Sequence, residues 1–172
     1  MTVFLCGFMG CGKTTVGAAL SEILSQPVTD MDEYIVEKAG KTIPEIFSVY
    51  GEKRFRELEH EAIGELCTRK GIIACGGGTM LNDDNARIAS EYGRVVFIKQ
   101  PFEVCYERIK DDSNRPLVVN NTKEQLREIF DARSAVYEKN SDICLDMGRR
   151  QDDSPEMTAR EIIRLLEDTG AL

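Results

Sequence analysis

The segment Gly7-Phe8-Met9-Gly10-Cys11-Gly12-Lys13-Thr14-Thr15 constrains this chain more than any other. It fits the spacing G-x-x-x-x-G-K-[ST], with the apolar run Val3-Phe4-Leu5-Cys6 before it and an amphipathic run from Val16 to Leu24 after it. A strand entering a glycine-rich turn and leaving as a helix is the context in which that spacing carries meaning. The glycines let the backbone curl so that successive N–H groups point at phosphate oxygens, and the positive end of the helix adds to the field. The reading places Gly10, Cys11, Gly12, Lys13, Thr14 and Thr15 against the phosphates of a nucleoside triphosphate. Lys13 reaches the β- and γ-phosphates, and the Thr14 hydroxyl ligates Mg²⁺. The alternative is a tight turn that happens to carry a lysine.

With 172 residues the chain is expected to be a single domain spanning residues 1–172, large enough for one well-buried core. Its net charge of −8 argues against nucleic acid or an anionic membrane surface as a partner, so an anionic substrate needs a local cluster of cations. The sequence opens directly into a strand with no basic and apolar leader, and no apolar run approaches the length of a bilayer span. A cytoplasmic protein with reduced thiols is therefore expected. Six cysteines and one histidine form no zinc spacing. Most of the cysteines read as small core residues, with Cys11 a loop filler whose thiol is of interest only for its place beside the phosphates.

Hydrophobic periodicity predicts helices from Lys13 to Ser25, Glu33 to Ala39 and Thr42 onward to Gly51, then Glu52 to Thr68. Further helices are expected over Asp83 to Tyr92, Phe102 to Lys110, Thr122 to Lys139 and from Ser154 to the closing segment, with Ile162, Ile163, Leu165 and Leu166 facing inward. Thr42-Ile43-Pro44-Glu45 and Thr122-Lys123-Glu124-Gln125 carry capping-box spacing. Strands are expected at Val28–Asp30, Gly71–Cys75, Arg94–Lys99 and Ile143–Asp146, in addition to the first. This alternation predicts an α/β fold with a five-stranded parallel sheet covered by helices on both faces. In such sheets ligands sit beyond the carboxyl ends of the strands, which gathers the phosphate loop, Asp30 to Asp32 and Gly76 to Gly78 on one rim.

Asp30 and Asp32 are candidates for a carboxylate near Mg²⁺ and a group that orients the attacking nucleophile; helix capping explains either one equally well. Gly76-Gly77-Gly78 suits close backbone approach to a ligand, with a plain turn as the alternative. Arg115, in the polar stretch 111–121, could be delivered to the transferring phosphoryl group by a lid, or be an exposed loop cation. Arg56 and Arg133 read singly as solvated helix residues. Arg108, Arg149 and Arg150 could stack on adenine or do ordinary surface duty. His60 reads as a helix histidine without a catalytic task, and the pairs Asp83-Asp84, Asp111-Asp112 and Asp152-Asp153 as solvated loop or helix-start charges.

Taken together, Gly7 to Thr14, Asp30-Met31-Asp32, Phe55-Arg56-Glu57-Leu58-Glu59, Gly76-Gly77-Gly78, Arg115-Pro116-Leu117 and Arg133 with Tyr137 resemble the shikimate kinase family, in the family's order and over nearly the whole chain. The resemblance implies a three-layer P-loop kinase fold with a lid at about 111–121. It also implies transfer of the γ-phosphoryl of ATP to the 3-hydroxyl of shikimate, with Mg²⁺, in a chain expected to be a monomer. On that resemblance Thr14 holds the metal with Asp30 supporting it through water, and Asp32 meets the attacking hydroxyl. Arg56 and Arg133 hold the acceptor's carboxylate, and Gly76, Gly77 and Gly78 approach its ring. Lys13 and Arg115 act on the phosphoryl group, while Arg108 and Arg150 flank adenine. Cys11 and Val118 are departures from the family's usual residues that remove no functional group. A gluconate kinase, a nucleoside monophosphate kinase and a non-catalytic nucleotide-binding module are the rival readings.

Overall fold

Thr2–Cys6 (β1) is buried at every position, as a strand covered on both faces must be. The computed structural model describes residues 1–150 and 153–170, so Asp152 of the acidic pairs lies outside the described residues. β1 is the centre of a five-stranded sheet whose other members are Val28–Asp30 (β2), Gly71–Ala74 (β3), Gly93–Lys99 (β4) and Ile143–Asp146 (β5), in the order β2-β3-β1-β4-β5. All four pairings are parallel. Ala74 is the register partner of both Leu5 and Asp30, so the end of β1 and the end of β2 lie at one level.

The connecting helices are Lys13–Leu24 (α1), Met31–Ala39 (α2), Ile43–Leu66 (α3), Asp83–Tyr92 (α4), Phe102–Ile109 (α5), Pro116–Val119 (α6), Lys123–Lys139 (α7) and Pro155–Asp168 (α8). Alternation along the strands assigns them to faces. Gly17 of α1 sits against Leu5 and Ile72. Phe97 pairs with Cys6, one residue on and thus on the opposite face, and its ring meets Tyr137 of α7 at 5.3 Å between centroids. Helices therefore cover both faces of the sheet. Ile162 and Leu166 of α8 are fully buried, while Ile163 and Leu165 are half-buried against the same core. Among the described residues no helix is long and apolar enough to cross a membrane.

Both capping boxes close: Thr42 and Glu45 satisfy each other's backbone at the start of α3, and Thr122 and Gln125 do so at α7. Gly51, at φ 79 and ψ 171, kinks α3 without ending it. One local expectation needs correction. The stretch 111–121 contains one helical turn, α6, which Pro116 starts at the position where a missing N–H costs nothing. Asp83 is 68% exposed in the first turn of α4, a solvated helix-start charge, and it also accepts from Lys139 Nζ (2.8 Å) and Asn140 Nδ2 (2.9 Å), which ties α4 to the end of α7.

The start of β5 is held to β4 by a side chain. Asp142 N–H donates to the Val95 carbonyl at 2.9 Å, and the Val95 N–H donates back to Asp142 Oδ2 at 2.7 Å. Val95 is fully buried, so without that carboxylate its N–H is an orphan donor in the core. Asp142→Ala is expected to destabilise the fold by about 1–3 kcal/mol, read as a lower urea midpoint at unchanged slope; an unchanged midpoint would contradict this assignment.

Candidate active site

The turn after β1 is built as its glycines demand: Gly7, Gly10 and Gly12 hold φ values of 142°, 80° and 100°. Inside the turn Lys13 Nζ donates to the carbonyls of Gly7 (2.9 Å) and Phe8 (3.1 Å) and lies 3.6 Å from Cys11 Sγ. Its charge is thus stored against the loop's own carbonyls, directly under the place where phosphate oxygens would lie. Cys11 is 2% exposed, a filler between the loop and the sheet. Cys6, Cys75 and Cys105 are buried as well, and burial raises all three thiols, Cys105 to about 12, which keeps them protonated and inert.

Asp30 is a helix cap and a partner of Thr14 at once. One oxygen caps α2 by accepting the N–H groups of Asp32 (3.0 Å) and Glu33 (3.3 Å). The other accepts the Thr14 hydroxyl at 2.9 Å. A hydroxyl and a carboxylate oxygen side by side at a phosphate loop are hard oxygen donors, the set that suits Mg²⁺ when phosphates and water complete its shell.

Asp32, two residues on, points the other way. Its Oδ1 is buried and accepts no hydrogen bond among the described residues. Burial, then the charges of Asp30 and Glu59, raise its pKa to about 6, against the opposing pull of Lys13 and Arg115. It is ionised at neutral pH yet ready to take a proton, the condition for a general base.

Two cavities meet at this carboxylate. The first, about 580 Å³, is lined by the phosphate loop, Thr14, Thr15, Asp30 and Arg108. The second, about 460 Å³, is lined by Arg56, Glu59, Gly78 and Arg133, with Ile43, Phe47 and Phe55 as its apolar wall. Met9, Asp32, Gly77 and Arg115 belong to both. Arg115 is held there by Asp112, Nε to Oδ2 at 2.8 Å.

The three glycines after β3 divide their work. Gly76 reaches neither cavity wall; a Cβ there would lie 2.6 Å from Asp32 Oδ1 and 2.9 Å from Glu59 Oε1, so only a glycine fits between those carboxylates. The Gly77 carbonyl accepts the Tyr137 hydroxyl, and the charge of Arg133, one helical turn before Tyr137, acts on the same phenol. At Gly78 a Cβ would stand 1.8 Å from Arg56 Nη1, so the Arg56 guanidinium occupies the space a side chain would fill. Arg56 is gripped by buried Glu59 (2.5 Å) and exposed Glu52 (3.0 Å). No carboxylate pairs with Arg133 among the described residues, which leaves its charge for a ligand.

Arg108 donates to the Gly10 carbonyl at 3.0 Å and faces Asp153 at 3.7 Å, on the wall of the first cavity. Arg150 is not on that wall; Glu161 holds its guanidinium at 3.0 Å. Arg149 is 87% exposed. His60 is exposed, with Nδ1 2.6 Å from Asn85 Oδ1. Glu59 entered the sequence reading only as the last residue of Phe55-Arg56-Glu57-Leu58-Glu59, with no role of its own. The signal was present in its spacing, three residues after Arg56 on a helix, but its burial was not.

A family model described as shikimate kinase matches residues 9–167. The shikimate kinase of Thermodesulfovibrio yellowstonii is 38% identical over 167 residues, covering 96% of this chain and 94% of the relative. That of Geobacter sulfurreducens is 44% identical over 146 residues, covering 84% and 80%. Among solved structures, a shikimate kinase from Acinetobacter baumannii in complex with shikimate is similar at a TM-score of 0.90 and 34% identity, covering 98% of this chain and 93% of that one. A gluconokinase from Sinorhizobium meliloti, at 17% identity and a TM-score of 0.58 with 98% and 94% covered, shares the fold alone.

The raised carboxyl of Asp32 sets a stability test. The folded chain holds this proton up to about pH 6, whereas an unfolded aspartate releases it near 4, so folding stability from this group falls as pH rises between those values. Asp32→Asn removes the penalty and, allowing for partial solvent screening, is expected to gain about 1–2 kcal/mol at pH 7.5 and little at pH 4. Urea unfolding at both pH values measures it; a variant less stable than the parent at pH 7.5 would contradict the assignment.

Proposed function

Since the chain belongs to the shikimate kinase family, we propose that it transfers the γ-phosphoryl of ATP to the 3-hydroxyl of shikimate, giving shikimate 3-phosphate and ADP, in chorismate and aromatic amino-acid biosynthesis. The observation that carries this reading is the junction of two cavities at Asp32 and Arg115, one fitted to phosphates and one holding two arginines over an apolar wall. A nucleotide and a small acid bound on either side place donor and acceptor in contact, which is most of what phosphoryl transfer requires.

In this reading Arg133 takes one side of the acceptor's carboxylate and Arg56 the other, by charge-assisted bonds. Asp32 accepts the proton of the attacking hydroxyl as its oxygen forms a bond to the γ-phosphorus and the bond to the ADP oxygen breaks. Lys13 leaves the Gly7 and Phe8 carbonyls for the phosphate oxygens. Arg115 neutralises charge on the group in flight once the stretch 111–121 closes as a lid. Mg²⁺, when bound, neutralises β- and γ-phosphate charge; Thr14 would hold it, with Asp30 reaching it through water. Arg108 lies on the nucleotide side, where its plane suits adenine. Arg150 joins it only if it leaves Glu161. The proposal takes the protein as a cytoplasmic monomer, and the net charge of −8 supports its keeping away from nucleic acid and anionic membranes.

A gluconate or nucleoside monophosphate kinase would use the same loop and fold, so the acceptor decides between them. ADP release measured by a coupled assay with ATP and Mg²⁺ is expected with shikimate and absent with gluconate, with nucleoside monophosphates and with no acceptor. Release with one of those acceptors in place of shikimate would overturn the reading, and no release with any would revive the non-catalytic one. Asp32→Ala is expected to abolish turnover while ATP still binds. Arg133→Ala and Arg56→Ala should each weaken shikimate binding by about 1.5–3 kcal/mol, seen in the Michaelis constant; unchanged constants would make them surface residues.

A further inference from the structure

Arg56 has two carboxylate partners of different kinds. Glu52 is 64% exposed, and an ion pair with so exposed a group fixes little. Glu59 is 1% exposed and grips Arg56 Nη1 at 2.5 Å. An ionised carboxylate in that position is tolerated only if both oxygens are satisfied. Arg56 satisfies Oε2, and the Thr79 hydroxyl donates to Oε1 at 2.8 Å.

Thr79 is itself pinned. It is fully buried at the first position of the 3-10 turn Thr79–Leu81, its N–H donates to the Gly76 carbonyl at 3.2 Å, and its own carbonyl takes Asn85 Nδ2 at 2.9 Å. The hydroxyl is therefore a fixed donor pointed at a buried charge. On the other side of Gly76 stands Asp32, a second carboxylate that repels Glu59. Without the hydroxyl, Glu59 Oε1 would face that charge with no donor, and its relief is to turn toward solvent and take Arg56 with it.

We propose that Thr79 is a positioning residue for the acceptor: its hydroxyl holds Glu59, and Glu59 in turn holds the Arg56 guanidinium over Gly78 and into the cavity that also contains Arg133. The proposal rests on the reading of the acceptor as a small carboxylic acid, shikimate. The competing account is that Thr79 only fills its turn, with Met31 Sδ, 3.4 Å away, as an adequate neighbour. That account predicts a change in stability alone, with both substrates affected equally.

The full chain carrying Thr79→Val, which keeps the shape and removes the donor, is compared with Thr79→Ser, which keeps the donor. Circular dichroism checks folding, and Thr79→Ala replaces the valine variant if the latter does not fold. Thr79→Val is expected to raise the dissociation constant and Michaelis constant for shikimate about tenfold, leave ATP binding unchanged, and show Arg56 displaced from Gly78 in a crystal structure; Thr79→Ser restores shikimate binding. A folded valine variant that binds shikimate like the parent, or loses ATP and shikimate affinity together, or keeps Arg56 over Gly78, overturns the proposal. If the parent chain itself ignores shikimate, the functional reading fails, and the position of Arg56 in the variant crystal still decides the positioning claim.

Discussion

The site depends on a register. Ala74 pairs with Leu5 on one side and with Asp30 on the other, so three parallel strands end at one level and release their loops onto one rim. From β1 comes the phosphate loop, from β2 the Asp30 and Asp32 pair, and from β3 the three glycines. A slip of one residue in either pairing would turn every side chain of a strand to the opposite face. It would also part the Thr14 hydroxyl from Asp30, which now meet at 2.9 Å across a sequence separation of 16.

On that rim the difficulty is electrostatic. A chain with net charge −8 gathers Asp30, Asp32 and Glu59 within reach of one another, and then needs to bind two anions. The geometry solves this by giving the charges different partners. Asp30 is spent on a helix cap and a hydroxyl, and Glu59 on Arg56 and Thr79. Asp32 alone keeps a buried oxygen without a donor, and its raised pKa is the thermodynamic expression of that isolation. Stability is given up at the position proposed for the base, as expected of sites that trade stability for activity. The cations are held in reserve by weak internal partners: Lys13 on loop carbonyls and Arg115 on Asp112.

Much of this was legible in the residues themselves. The phosphate loop is a local motif whose glycines, lysine and threonine are adjacent in the chain, and the alternation of strands and helices carried the parallel sheet with it. Both capping boxes were legible for the same reason, since each is complete within four residues. What stayed hidden depends on burial or on contacts between distant segments. Nothing in the spacing of Glu59 said that it is 1% exposed, and nothing near Thr79 said that its hydroxyl would face a carboxylate 20 residues away. The pairing of Arg150 with Glu161 links an irregular loop to the closing helix and has no signature in either. Asp142 as a strand partner for Val95 was equally invisible, because a side chain there replaces a backbone group.

The central claim is that one carboxylate stands between a nucleotide pocket and a two-arginine pocket. A crystal structure of the chain with shikimate and a non-hydrolysable ATP analogue tests it directly. The account predicts the shikimate carboxylate between Arg56 and Arg133, a ring hydroxyl in hydrogen-bond contact with Asp32, and the terminal phosphate analogue beside Lys13 and Arg115. Shikimate bound away from the two arginines, or with every hydroxyl out of reach of Asp32, would contradict it.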